Sequence, residues 1–197
     1  MLVSDRLHIG NLFLPNGAAL KLKFGATFAR ERAEDPVVEK RVHVSPSVPQ
    51  LVAEVIRPGR SLDFCLTSFG DPLAREPLAR AMVEIVGSDL QCLPVRVGDD
   101  KEFSLLNAIR LVQCFDEERS EFLKWTERDN RPDKLGEYRM VTRLRLDARK
   151  IPPDAHVFRV ELWPVALIVS EVVKATMEHV GCSGAKFREV TGAEELS

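Results

Sequence analysis

The sequence predicts an α+β fold, with mixed or antiparallel sheets and a few helices. Three observations carry this. Short stretches of period-two alternation recur along the chain, and two helical stripes stand between them. The order of strands and helices also lacks the strict βαβ rhythm of a parallel sheet. With 197 residues, the chain can bury a core without disulfide or metal staples. Hydrophobic residues at 45% and charged residues at 29% exclude a disordered chain. The formal net charge of −2 argues against a dedicated nucleic-acid binder. No apolar run reaches the roughly 18 residues of a bilayer span, and the N-terminus MLVSDRLHIG has no secretory h-region. The expected location is cytoplasmic.

Ala19 to Phe24 places Leu20, Leu22 and Phe24 on one face of a strand that Gly25 ends. Val37 to Val44 is a weaker strand, stopped by the Ser45–Pro49 run. Leu51 to Ile56 is another, closed by Pro58-Gly59. A boundary at Gly59 divides a strand-rich segment, 1–59, from an α+β core over 60–197. In that core Leu62, Phe64 and Leu66 alternate with Asp63, Cys65 and Thr67. Pro77 then suits the first turn of a helix carrying Leu78, Met82, Ile85 and Val86, with Gly87 as its left-handed cap. Leu93, Val95 and Val97 mark a strand, and Pro94 predicts a sheet edge.

Leu105 to Phe115 fits either a helix through Leu105, Ile109 and Val112 or a strand; the helix is preferred. Tyr138 to Leu146 reads as a strand with Tyr138, Met140, Thr142, Leu144 and Leu146 on one face. Arg139, Val141, Arg143 and Arg145 take the other. After Pro152-Pro153, Phe158, Val160 and Leu162 open a last strand pair. Ser170 is placed to cap a second helix, with Val173, Thr176, Met177 and Val180 before Gly181. The helix–Gly–strand unit thus recurs at an offset of 94. Leu73 matches Leu167, Arg80 Lys174, Ala81 Ala175, Glu84 Glu178, and Val86-Gly87 matches Val180-Gly181. Such a pseudo-duplication makes a paired molecule, because a solenoid needs three or more repeats.

Familiar catalytic patterns do not occur: no G-x-S-x-G, H-E-x-x-H, Walker loop or dinucleotide fingerprint is found. Cys65, Cys92, Cys114 and Cys182 form no C-x-x-C and read as reduced core thiols. The four histidines are scattered; His179 falls in a last helical turn, where a cation suits the dipole. Asp116, Glu117, Glu118 and Glu121 form the densest acidic group. On a helix Glu117 and Glu121 would share a face, yet Arg119 and Lys124 among them favour a solvated or partner-facing surface. Arg139, Arg143 and Arg145 form a small basic stripe that could grip phosphates, though a solvent-facing or ion-paired strand is the default. The most suggestive feature is the loop Trp125–Gly136. Trp125, Asp129, Arg131 and Asp133, with Tyr138 behind them, combine turn chemistry with residue types enriched at binding hot spots.

An ordered series of segments resembles a known family. It runs from Leu62–Gly70 through Leu105-Leu106-Asn107 and Phe115–Glu121 to Trp125-Thr126-Glu127, Arg131–Lys134, Gly136 and Tyr138–Leu144. It closes on His156–Arg159, Trp163, Ile168–Glu171 and Gly184–Phe187. Over roughly 60–190 it is similar to the myxobacterial-type immunity proteins, immunity family eleven, of bacterial polymorphic toxin systems. At the first helix, Ala74-Arg75-Glu76-Pro77 stands where a Val-Ser-Glu-like run is usual, as at Val169-Ser170-Glu171. The resemblance implies an immunity protein that binds a cognate toxin encoded nearby, by occluding or distorting it, without catalysis or cofactor. It offers no catalytic set to carry over, and it leaves segment 1–59 to set the particular partner. The alternative is an enzyme of unrecognised type acting on a small ligand; a third reading is a structural partner in a secretion or sporulation assembly. A homodimer built on the repeated helices is a further expectation.

Overall fold

The computed structural model describes residues 7–10, 19–23, 39–41, 51–67, 70–98 and 100–191. The first strands are β1 (Leu7–Gly10), β2 (Ala19–Lys23), β3 (Glu39–Arg41) and β4 (Leu51–Arg57). Next come β5 (Phe64–Leu66), β6 (Pro72–Arg75), helix α1 (Glu76–Val86), β7 (Leu90–Val97), β8 (Asp100–Ala108) and β9 (Arg110–Val112). The chain continues through β10 (Glu121–Lys124), β11 (Tyr138–Arg143), β12 (Val157–Val160), β13 (Trp163–Ser170), helix α2 (Glu171–His179) and β14 (Phe187–Glu189). One six-stranded sheet has the order β14-β1-β13-β12-β9-β3, and a second has β2-β4-β7-β8-β6-β5. β10 and β11 form a separate hairpin. Only β4–β7 and β9–β12 pair in parallel among these strands, so the fold is α+β with mixed sheets.

The two halves share one arrangement. In the first, β5 pairs β6, α1 follows β6 directly, and β8 separates β6 from the returning β7. In the second, β12 pairs β13, α2 follows β13 directly, and β1 separates β13 from β14. The middle strand comes from later in the chain in one half and from its beginning in the other. The cross-strand pairs Phe64–Ala74 and Val157–Val169 both point into one central core. There α1 contributes Leu78 and Met82, α2 contributes Val173 and Met177, and the helices pack together. Alternation sends the neighbouring residues the opposite way. Cys65 and Leu73 join a cluster with Leu51, Val95 and Phe103. Phe158 and Ile168 join one with Val112, Leu144 and Leu146.

Within the helices the buried stripe aligns at an offset of 95, Leu78 with Val173 and Met82 with Met177, and not at 94. The glycines do align at 94, because α1 runs one residue longer from its N-cap, Arg75, to Gly87 than α2 from Ser170 to Gly181. The Arg80–Lys174 and Glu84–Glu178 matches therefore occupy different places around their helices. Pro77 does stand in the first turn of α1, and Ser170 Oγ accepts the Val173 N–H at 3.4 Å in α2.

Two expectations need correction. Leu105 to Phe115 is not a helix: β8 and β9 occupy most of it, and Leu105 and Leu106 face different clusters as strand neighbours must. Pro94 does not mark an edge strand, since β7 lies between β4 and β8. Among the described residues β4 pairs with Val95–Val97 and not with Pro94, so the proline stands just outside that pairing.

Two polar clips join the halves. Phe64 N–H donates to the Ser183 carbonyl at 3.0 Å, while Ser183 N–H and Oγ–H donate to Asp63 Oδ2 at 2.9 and 2.5 Å. Gly184, at φ 100°, lies so close that a Cβ would strike the Phe64 carbonyl oxygen. On the other side, buried Arg110 bridges Asp89 at 2.7 Å and Asp154 at 3.2 Å. The four cysteines are unbridged. Burial pushes the thiols of Cys65, Cys92 and Cys182 up to about 11 and that of Cys114 to about 12.

Candidate functional site

The stretch from 113 to 156, between β9 and β12, has no counterpart among the described residues of the first half. It begins with Phe115, bridged to Leu146, and a turn that carries Glu117 and Glu118 into β10. A helix does not form there, so Glu117 and Glu121 do not share a face. Glu121 opens β10 and pairs with Arg143 at 3.4 Å on the outer side.

The β10–β11 register slips twice, between Glu121 and Phe122 and between Leu123 and Lys124. These bulges break the simple alternation expected for Tyr138–Leu146. Tyr138 and Val141 oppose Lys124 and Phe122 and turn inward, while Met140 stands opposite Leu123, both exposed. The strand ends at Arg143, and Leu144 and Leu146 enter the core beyond it.

At the base of the hairpin, Phe115 stacks on Tyr138 at 3.9 Å between ring centres, and Phe122 meets both edge-on at 5.4 and 5.1 Å. Tyr138 is buried. Its hydroxyl donates to Glu117 Oε1 at 2.6 Å, and Lys124 Nζ lies 2.6 Å from the same carboxylate. Lys124 holds the Glu117 carboxyl below its usual range, with the Tyr138 hydroxyl adding to this. Burial, reinforced by Glu117, raises the Tyr138 hydroxyl. Tyr138 N–H donates to the Leu162 carbonyl at 3.1 Å. Leu162, in the tight β12–β13 turn, has φ 62°, a conformation that costs a non-glycine residue about 1 kcal/mol.

The tip folds into two short 3-10 turns, Glu127–Asp129 and Pro132–Lys134. Asp129 closes a capping box on Thr126 and pairs with Arg139 at 2.5 Å. The Thr126 N–H is the main cause of its lowered carboxyl. Arg131 pairs with Asp133 at 2.8 Å. Trp125, half-buried, carries Lys134, Arg139 and Arg131 around its ring at 5.4, 5.4 and 5.9 Å. Leu135 beside it is 56% exposed. The basic stripe is ion-paired or bonded throughout: Arg139 to Asp129, Arg143 to Glu121, and Arg145 Nη1 to the Glu189 carbonyl.

Behind the hairpin lies a cavity of about 540 Å³. Asp116, Glu117, Glu118, Asp147 and Glu161 outnumber Arg149 and Lys150 in its lining, beside Phe115, Tyr138 and Leu162. The sequence-derived residues thus fall in two groups. Asp116, Glu117, Glu118 and Tyr138 meet at the cavity; Trp125, Asp129, Arg131 and Asp133 form the tip, and Glu121 joins neither. Sequence reasoning missed Phe115, Phe122, Lys124 and Leu162. Phe115 and Phe122, two aromatics in a charged run, were a readable signal; the positive φ of Leu162 was not.

Among the described residues no three His, Cys, Asp or Glu side chains converge to hold a metal ion. No described helix is long and apolar enough to cross a membrane. The stretch 113–156 holds the tip and most of the cavity's lining, which Glu161 and Leu162 complete, and it falls within a family match. Residues 97–192 match the Immunity protein family (Imm11). The Imm11 match runs from the end of β7 to just beyond β14, and it contains every residue of the two groups. No curated protein matches the chain.

Proposed function

We propose that this chain is an immunity protein that binds a cognate toxin and neutralises it by surface fit, transforming nothing itself. The observation that carries the reading is the match of 97–192 to the Imm11 family, whose span encloses the stretch 113–156 with the hairpin and its tip. Function lies most naturally on such an excursion, held by a rigid scaffold. The contact surface runs from the tip, with Trp125 and Arg131, across exposed Leu123 and Met140. The acidic cavity lies behind it.

An aromatic braced by cations loses little side-chain freedom on docking, and exposed apolar neighbours supply area. A stable complex would bury about 1,200–2,000 Å² in total, so segment 1–59 has room to contribute selectivity. The test is capture of the protein encoded by the adjacent reading frame. Wild type should retain it, while Trp125→Ala and Arg131→Ala each weaken binding about fivefold or more with the fold intact. Unchanged binding in both variants removes the tip from the interface.

A further inference from the structure

We infer that Glu117 is a positioning residue, clipping together both strands of the β10–β11 hairpin and so fixing how Trp125 is presented, without itself meeting the partner. This rests on the tip being the contact surface. The geometry is specific. Lys124 and Tyr138 are a directly opposed cross-strand pair, one from each strand, and a single Glu117 oxygen engages both at 2.6 Å. Glu117 belongs to the preceding turn, so the clip ties the hairpin to the body and not merely to itself.

The next residue after Lys124 is Trp125, whose N–H donates to the Glu137 carbonyl at 2.9 Å, immediately before Tyr138. The orientation of the opposed pair therefore sets the direction of the tip. Lys124 also lies over the Tyr138 and Phe122 rings at 5.1 and 5.7 Å, so losing its carboxylate partner frees it across the whole aromatic base. Asp116, Glu118, Glu161, Asp147, Arg149 and Lys150 share the cavity.

The experiment is amide hydrogen exchange on the full chain, with the Trp125 indole N–H followed by NMR, in Glu117→Ala, Glu117→Gln and Tyr138→Phe. Glu117→Ala should raise exchange at least tenfold in 121–124 and 138–141 and shift the indole resonance, while core strands β6, β8 and β13 keep their rates. Glu117→Gln, which still accepts the Tyr138 proton, should recover most of the protection. Tyr138→Phe, which keeps the ring stack, should lie between. Native exchange in Glu117→Ala overturns the assignment. So does acceleration spread evenly through the core, which marks a general loss of stability. A loosened hairpin with undiminished capture of the neighbouring toxin supports the clip and overturns the tip as contact surface.

Discussion

At the residue scale, Gly184 shows how one missing methyl group holds two distant segments together. Its positive φ and its contact with the Phe64 backbone leave no space for a side chain. Gly184→Ala should lower stability by about 1–3 kcal/mol from backbone strain alone, with the collision adding to it, measured by denaturant unfolding. The cysteines give a pH dependence with a definite sign. Unfolded thiols release protons near 9.0, whereas the folded ones hold them to about 11, and Cys114 to about 12. The folded state binds more protons in that window, so stability is intact below pH 9 and is lost as pH rises through it. Replacing Cys114 with Ala or Val should flatten the alkaline limb of a stability–pH curve; an unchanged limb contradicts this. Of the nine candidate residues, residue type alone singled out Trp125, Arg131 and Tyr138. It could not tell that Tyr138 faces inward, because the bulges that turn it are a property of two strands together.

At the scale of elements, local signals were legible where one element determines its own ends. Pro77 and Gly87 bracket α1, and Ser170 caps α2, as the chain's own chemistry dictates. Ser170→Ala should cost about 1 kcal/mol, read from the thermal midpoint. Leu105–Phe115 was misread because an apolar run buried on both faces has no period that separates strand from helix. The β10–β11 tip is an element whose removal should separate binding from folding. Trp125 and Gly136 are joined by a hydrogen bond of 3.2 Å, so a two-residue Asn-Gly turn can replace 126–135. The shortened chain should keep its melting temperature within a few degrees and lose toxin capture. Retained capture would place the interface elsewhere.

Over the whole molecule, the pairing of two similar halves was visible as a faint repeat, but its assembly was not. Nothing in the composition indicates that a strand from residues 7–10 lies between β13 and β14, more than 150 residues away. The span matching Imm11 lacks that strand, and it lacks α1, which packs against α2 in the shared core. Residues 97–192 expressed alone should therefore fail to fold, with near-random circular dichroism and no protected amides, whereas the full chain unfolds cooperatively. A stable, protected fragment would show that the second half needs neither β1 nor α1.

The stoichiometry of neutralisation tests the central claim most directly. Purified chain is titrated into the protein encoded by the adjacent reading frame, the proposed toxin, while that protein's own activity is followed. Inhibition by binding predicts a linear fall to baseline that ends at one molecule of this protein per toxin, with the toxin recovered unmodified. Full toxin activity at a large excess, or its loss at a small fraction of an equivalent, would contradict the account.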